Sequence, residues 1–441
     1  MPADLRSFLA QLDERGLLAR AGREVDPATE AARLMREAEL RGLAILFERV
    51  RGSDAALVYN LLGTRAAVGL ALGVEPRDAS RRFSEALERR VEPVRVDAAP
   101  VQEVVHEGDA VDLRALPLVV HSEKDAGPYV TAGMVIAHDP ESGARNVSFN
   151  RMMLAGAAET GIRMMPPQHL GVIQAKAEAS GRDLPVAVAI GLHPVDALAG
   201  ATSLPAGEDE LALAGGLRGE PVRTARGVTV DVDVPADAEI VLEGLVRAGV
   251  REPEGPFGDF LQFYVAEMPN HRLHVTAITH RRDPIFQTMV AGSPEDVNLL
   301  GLSREALVAA AVEATGADLV DMRLGPTILG CVLAVRQRYP GEAKNAALAA
   351  LGAYGWLKYC IVVDHDVDVH DMDDVWWAVS ARSSPERALR VIAGAPAFPR
   401  DPHGVHGSRA IIDATIPFGE WAAFERKRPP GGDRLRLEDF A

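Results

Sequence analysis

The chain has 441 residues, 47% hydrophobic and 25% charged, with a formal net charge of −16. A chain of that length buries a large core and divides into two or three domains, and its acidic balance argues against a nucleic-acid or anionic-membrane partner. The two cysteines, Cys331 and Cys360, sit in apolar runs and read as core thiols of a reducing compartment, not as a disulfide framework.

The first residues predict an amphipathic helix with Leu5, Phe8, Leu9 and Leu12 on one face. No apolar stretch resembles a signal peptide or a membrane span, so a soluble cytoplasmic protein is expected. Asp26-Pro27 predicts a helix start. Strands are expected at 43–47 and 56–61 and a helix at 76–90, which makes a small α/β domain. From residue 129 the period changes. Strands are predicted at 129–137, 146–154, 184–190, 228–234, 240–246, 260–265, 273–279 and 284–290, with short helices at 194–200 and 208–215. Many strands and few helices predict a β-barrel or folded sheet. After residue 303 the α/β pattern returns, with helices at 304–315, 341–356 and 373–381 and strands within 319–335 and at 359–363. Arg428-Pro429-Pro430-Gly431-Gly432 predicts an extended arm.

The residues with the most chemistry lie in the middle region. Glu254-Gly255-Pro256-Phe257-Gly258-Asp259 sets two carboxylates five residues apart across a tight, non-helical backbone. A carboxylate pair at a set separation divides acid and base roles; the plain alternative is a hairpin turn with two solvated acids. Asn146-Val147-Ser148-Phe149-Asn150-Arg151 closes a polar strand on an arginine. Gln168-His169 follows a Pro166-Pro167 corner and, alone, reads as a loop histidine. Gly207-Glu208-Asp209-Glu210 reads as the acidic first turn of a helix. Together, an Asn oxygen, a His nitrogen and a Glu carboxylate suit a divalent ion such as Mn²⁺ or Mg²⁺. An Arg beside two carboxylates makes a charge-paired network. Asn146 and Arg151 are five residues apart, so a regular strand would point them to opposite faces. A strand irregularity is therefore predicted at 149–150.

The order and spacing of these motifs resemble the UbiD-type decarboxylases. The resemblance continues through Tyr339-Pro340-Gly341, Ile361-Val362-Val363-Asp364, Asp374-Val375-Trp376-Trp377-Ala378 and Ile411-Ile412-Asp413-Ala414-Thr415. It implies a mixed α+β fold: an N-terminal α/β domain (1–110), a central split β-barrel flavin-binding domain (111–302) and a C-terminal α/β oligomerisation domain with an extended tail (303–441). It implies reversible, non-oxidative decarboxylation of an aromatic, heteroaromatic or α,β-unsaturated carboxylic acid through a covalent adduct with prenylated FMN, assisted by Mn²⁺ (or Mg²⁺) and K⁺. On the matching positions it implies Arg151, Glu254 and Asp259 as the catalytic network. Asn146, His169 and Glu210 would be metal ligands tied to the cofactor phosphate, with Glu208 as a rival carboxylate. Gln168 and Lys358 would be further cofactor contacts. A flavin prenyltransferase would supply the cofactor, and protomers would form a homodimer or dimer-based oligomer.

Asp259 stands where some members carry Glu, and Phe260-Leu261-Gln262-Phe263-Tyr264 is not the His-Thr-Gly-Tyr of the 4-hydroxybenzoate branch, so the acid stays open. Two other readings are a divalent-metal-dependent hydrolase with Glu254 as base and a non-catalytic flavin-binding subunit. The run from Asp364 to Asp371 reads as a strand exit and helix cap, not a metal site. His271, His274 and His280 read as structural or surface residues.

Overall fold

The computed structural model describes residues 2–395, 398, 401 and 407–427. The chain divides into two compact units, Met1–Ala306 and Leu307–Ala441. In the first, α1 (Leu5–Glu14) is capped by Asp4 and buries the predicted face of Leu5, Phe8, Leu9 and Leu12. It is followed by β1 (Leu18–Ala21), α2 (Ala31–Leu40), β2 (Ala44–Phe47), β3 (Ala56–Tyr59), α3 (Arg65–Leu72) and α4 (Ala79–Glu88). Asp26 does not open α2 directly. Its carboxylate accepts the Ala28 N–H at 2.8 Å and its carbonyl the Glu30 N–H at 3.0 Å, so it closes a separate turn before Ala31.

The next elements are β4 (Val94–Arg95), β5 (Val104–Glu107), β6 (Tyr129–Val130), β7 (Met134–His138), β8 (Arg145–Phe149), β9 (Met152–Met153) and β10 (Glu159–Ile162). Then come α5 (His169–Ala179), β11 (Leu184–Ile190), α6 (Pro194–Gly200), α7 (Glu210–Arg218), β12 (Arg223–Arg226) and β13 (Asp233–Pro235). The unit is completed by β14 (Ile240–Glu254), β15 (Phe257–Gly258), β16 (Tyr264–Val265), β17 (Met268–His280) and β18 (Ile285–Gln287). A seven-stranded sheet runs β10-β17-β14-β11-β7-β8, with β5 also beside β17. In its antiparallel register Ala137 faces Asn146 and Val135 faces Ser148, and directly opposed residues share a face. Val135 and Ala137 pack with Leu170, Ile173 and Ala177 of α5. Met134, Ile136 and Val147 pack on the other face with Leu211 of α7. One sheet is thus covered by α5 on one side and α7 on the other, and both helices lie against β8.

The structure departs from the expected strands at named places. Residues 228–230 are not a strand: their N–H groups point at the buried Glu243 carboxylate at 2.8, 2.6 and 3.2 Å, and extended structure starts only at β13. The segment expected as a strand at 260–265 is mostly the turn of a hairpin between β15 and β16. There the Asp259 N–H meets the Phe263 carbonyl at 2.9 Å. Strand β10 and helix α5 had no expectation at all.

After α8 (Pro294–Glu313), the second unit contains β19 (Leu319–Leu324), β20 (Gly330–Val335), α9 (Glu342–Ala353), β21 (Tyr359–Asp364), α10 (Met372–Arg382), α11 (Pro385–Ala388), β22 (Leu389–Ala393) and β23 (Ser408–Asp413). Its sheet order is β19-β20-β21-β23-β22. Cys331 and Cys360 are free, buried and opposite each other on β20 and β21. Asp371 caps α10 by accepting the Asp373 N–H at 2.9 Å. The stretch from Arg428 to Gly432, expected as an extended arm, lies outside the described residues. Among those residues no helix is long and apolar enough to cross a membrane.

Helix α7 is pinned to α6 by a buried ion pair, Arg218 Nε to Asp196 Oδ1 at 2.8 Å. Removing one partner strands a buried charge, at a cost of about 3–5 kcal/mol. Urea denaturation of Arg218→Met is expected to show that loss, and the double variant Arg218→Met with Asp196→Leu should recover most of it.

Candidate active site

Strand β8 ends at Phe149, and β9 begins at Met152 on a different partner, β6. Between them the Asn150 amide donates to the Arg163 carbonyl at 2.8 Å, and its oxygen accepts the Ser148 hydroxyl at 2.9 Å. This break, predicted from the odd spacing, frees Arg151 from strand alternation. Its guanidinium then serves two acids. Nε donates to Glu254 Oε1 at 3.0 Å and Nη1 to Asp259 Oδ2 at 3.3 Å. The guanidinium also lies 4.4 Å from the centre of the Phe257 ring, a cation–π contact. Nη2 is buried and has no partner among the described residues.

The two acids lie on one arm of a long hairpin, Glu254 at the end of β14, which pairs with β17, and Asp259 just after β15, which pairs with β16, so the hairpin's turn follows them both. They are not solvated, Glu254 being 1% and Asp259 9% exposed. Gly255 has φ +106°, which favours glycine. Gly258 is needed for close approach, since a Cβ there would lie 2.6 Å from Ser122 Oγ. Asp125 fixes that approach by accepting the Gly258 N–H at 2.7 Å and the Ser122 N–H at 2.9 Å. The Ala126 N–H also donates to the Pro256 carbonyl at 3.0 Å. Residues 122–126 therefore clamp the hexapeptide. Glu254 receives the Asn270 amide on its second oxygen, and its stem passes where a Gly161 side chain would be, 3.2 Å from the position of that Cβ. Tyr129 packs its ring 4.6 Å from Phe257. Burial, and next the Glu254 charge, push the Tyr129 phenol pKa up.

A second corner lies at the β8 edge. Glu210, first residue of α7, is 2% exposed and accepts the Val147 N–H at 2.9 Å, beside buried Asn146. Burial pushes its pKa up to about 7. The other acids of the triplet are taken: Glu208 pairs with Arg90 at 2.5 Å, and Asp209 caps the Leu211 N–H at 2.8 Å and binds Arg145 at 2.6 Å. His169 is no loop residue. It opens α5 and is half-buried, and no hydrogen bond joins it to Asn146 or Glu210. Gln168, just before it, is exposed. Lys358, in the second unit, pairs with Asp401. Among the described residues no group of three or more His, Cys, Asp and Glu gathers as a metal centre; a donor set that includes Asn146 is of another kind. Asn270, Tyr129 and Asp125 were missed by sequence reasoning, because only strand pairing and loop packing bring them to the acids.

Next to Ser122, His121 places Nε2 2.7 Å from Thr288 Oγ1, and burial pushes its pKa down to about 4. The unfolded imidazole titrates near 6.5, so below that pH protons favour the unfolded chain. Stability is expected to fall by about 1.4 kcal/mol per pH unit for this group as pH drops from about 6.5 toward 4. His271, held at about 4 by burial and then by Arg251, adds a slope of the same sign that its partial exposure weakens. Urea denaturation against pH should show a shallower acid slope in His121→Gln.

Family models describing the 3-octaprenyl-4-hydroxybenzoate carboxy-lyase match in three segments: its N-terminal domain at residues 9–87, its Rift-related domain at 92–294 and its C-terminal domain at 297–414. Anhydromevalonate phosphate decarboxylase of Methanosarcina mazei is 34% identical, over 96% of this chain and 98% of its own. Among solved structures, the UbiD-class enzyme HmfF from Pelotomaculum thermopropionicum in complex with FMN superposes with a TM-score of 0.94. It is 37% identical and covers 99% of this chain and 100% of its own. The apo 3,4-dihydroxybenzoic acid decarboxylase of Enterobacter cloacae superposes at 0.92, with 30% identity over 99% and 98%. The mixed α+β architecture and the full-length matches agree: this chain belongs to the UbiD family of carboxy-lyases.

Proposed function

We propose that the chain decarboxylates an aromatic, heteroaromatic or α,β-unsaturated acid with prenylated FMN as cofactor. The observation that carries this reading is the Arg151 guanidinium, which holds two buried carboxyl groups while its third nitrogen, Nη2, has no partner among the described residues. The relatives with stated activities noted above are decarboxylases, and the hydrolase and the non-catalytic carrier find no support among them. An evolved dimeric form of HmfF is described in complex with prFMN.

The residues fit the cofactor and its ion. Glu210 accepts the N–H of Val147, the residue that follows buried Asn146, and a cation there would offset the desolvation that raises the Glu210 pKa. His169 and Glu210 each open a helix, where backbone N–H groups favour a phosphate. We assign Asn146, His169 and Glu210 to Mn²⁺ (or Mg²⁺), with K⁺ nearby and Gln168 at the rim. Glu208 is set aside because Arg90 holds it, and Lys358 because Asp401 does. When bound, prenylated FMN supplies the electron sink for loss of CO₂. Arg151 Nη2 orients the substrate carboxylate. The Asp259 carboxyl group, the more exposed of the two acids, donates the proton that replaces CO₂. Glu254 anchors Arg151 so that Asp259 stays in reach. A flavin prenyltransferase would supply the cofactor in the cytoplasm. Protomers would pair as a homodimer or a dimer-based oligomer, a reading supported by apolar side chains exposed on the second unit, Val391 and Trp376 among them.

Protein co-expressed with a flavin prenyltransferase is expected to carry a ligand of prenylated-FMN mass and to release CO₂ from one of a panel of unsaturated and aromatic acids. Glu254→Gln and Asp259→Asn should keep the flavin absorbance and lose at least about 100-fold in kcat. His169→Ala and Glu210→Ala should lose flavin and metal together, measured by absorbance and elemental analysis. Full turnover in either acid variant would remove the role assignment. Flavin-free protein that still binds a divalent ion would remove the cofactor.

A further inference from the structure

Asn270 lies on β17 and Glu254 on β14, and in their register Glu252 is directly opposite Asn270. Glu254 is therefore Asn270's diagonal neighbour on the same face. The next diagonal repeats the pattern, with Arg272 donating to Glu252 at 2.8 Å. The inner pair is buried, whereas Glu252 is exposed. A buried amide costs free energy unless its polar atoms are satisfied, and the Asn270 amide donates to Glu254 Oε2 while Arg151 Nε donates to Oε1. Each Glu254 oxygen thus has its own nitrogen donor from a different element. Two fixed donors allow one rotation of the carboxylate, and that rotation decides where Arg151 presents Nη1 to Asp259.

We propose that Asn270 is a positioning residue that sets the orientation of Glu254 and, through Arg151, of the proton donor Asp259. This inference rests on the decarboxylase reading for its kinetic consequence but not for its geometry. The titratable and charged groups facing this point are Arg151 after β8, Asp259 after β15, Tyr129 on β6, Asp125 in the clamp, and the Glu252–Arg272 pair one step along the strands. Arg163 faces it as well, donating to the Met268 sulfur at 2.8 Å, with Met268 directly opposite Glu254.

The test uses the flavin-loaded enzyme with Asn270→Ala and Asn270→Asp. In Asn270→Ala, kcat is expected to fall about 10- to 100-fold, the size of one hydrogen bond to a charged group. KM and flavin content should be unchanged, and the deficit against wild type should be flat across pH. In Asn270→Asp the deficit should be large at alkaline pH and shrink toward acid pH, where a protonated carboxyl group regains a donor for Glu254. A second readout needs no turnover: Asn270→Asp should lose stability to urea as pH rises, because two carboxylates then face each other, and adding Glu254→Gln should remove that dependence. Wild-type kcat in Asn270→Ala, or the same pH-independent deficit in both variants, overturns the kinetic role. A urea profile that Glu254→Gln leaves unchanged overturns the contact. Wild-type protein that carries flavin but decarboxylates none of the acids, with the urea dependence still present in Asn270→Asp, would instead overturn the decarboxylase reading and leave the contact standing.

Discussion

One buried guanidinium shared by two carboxyl groups is the constraint on which the rest of the site depends. Burying charge is costly, and a single cation between two acids leaves one acid uncompensated unless other donors are supplied. The fold supplies them. Asn270 reaches the free oxygen of Glu254, and the Phe260 N–H meets Asp259 Oδ1 at 2.6 Å. The Phe257 ring lies against the guanidinium and is itself backed by Tyr129. Each acid thus has a fixed donor besides Arg151, and the guanidinium has an apolar backstop that does not compete for its hydrogens.

That arrangement imposes demands on the backbone. Arg151 must leave the strand that carries Asn146, so β8 breaks and Asn150 spends its side chain on Ser148 and Arg163. Glu254 must cross its neighbour strands, so Gly161 carries no side chain there. The acid hairpin must lie within van der Waals contact of residues 122–126, so Gly258 is a glycine and Asp125 holds its N–H. These are small local concessions to one polar cluster, of the kind expected where function and packing compete.

The sheet does the rest of the positioning. Because alternate residues of β8 face opposite sides, α5 and α7 cover the two faces of one strand, and each begins with a candidate metal ligand. Glu210 meets the strand at its open edge through the Val147 N–H, a donor that an edge strand leaves unpaired. Asn146 precedes Val147 in the same strand.

Local pattern alone determined a good part of this protein. The apolar face of α1, the limits of β11 and α6, the break after Phe149 and the motifs that hold Arg151, Glu254, Asp259, Asn146 and Glu210 are all set by residues near one another in the chain. Helix α5 was not legible, because Gly171, Val172 and Ile173 weigh against a helix and Gln168 gives no side-chain cap. Gly171 is there because a Cβ would lie 2.5 Å from the Met165 backbone, a contact that exists only after the chain has turned. Residues 228–230 misled in the same way: their β-branched pattern is overridden by a Glu243 carboxylate that needs three N–H donors. Whether the two acids are solvated or buried, which glutamate of the 208–210 triplet turns inward, and which amide completes Glu254 were decided by tertiary structure. Each answer depends on a partner brought close by strand register or helix packing, and no local propensity encodes those distances.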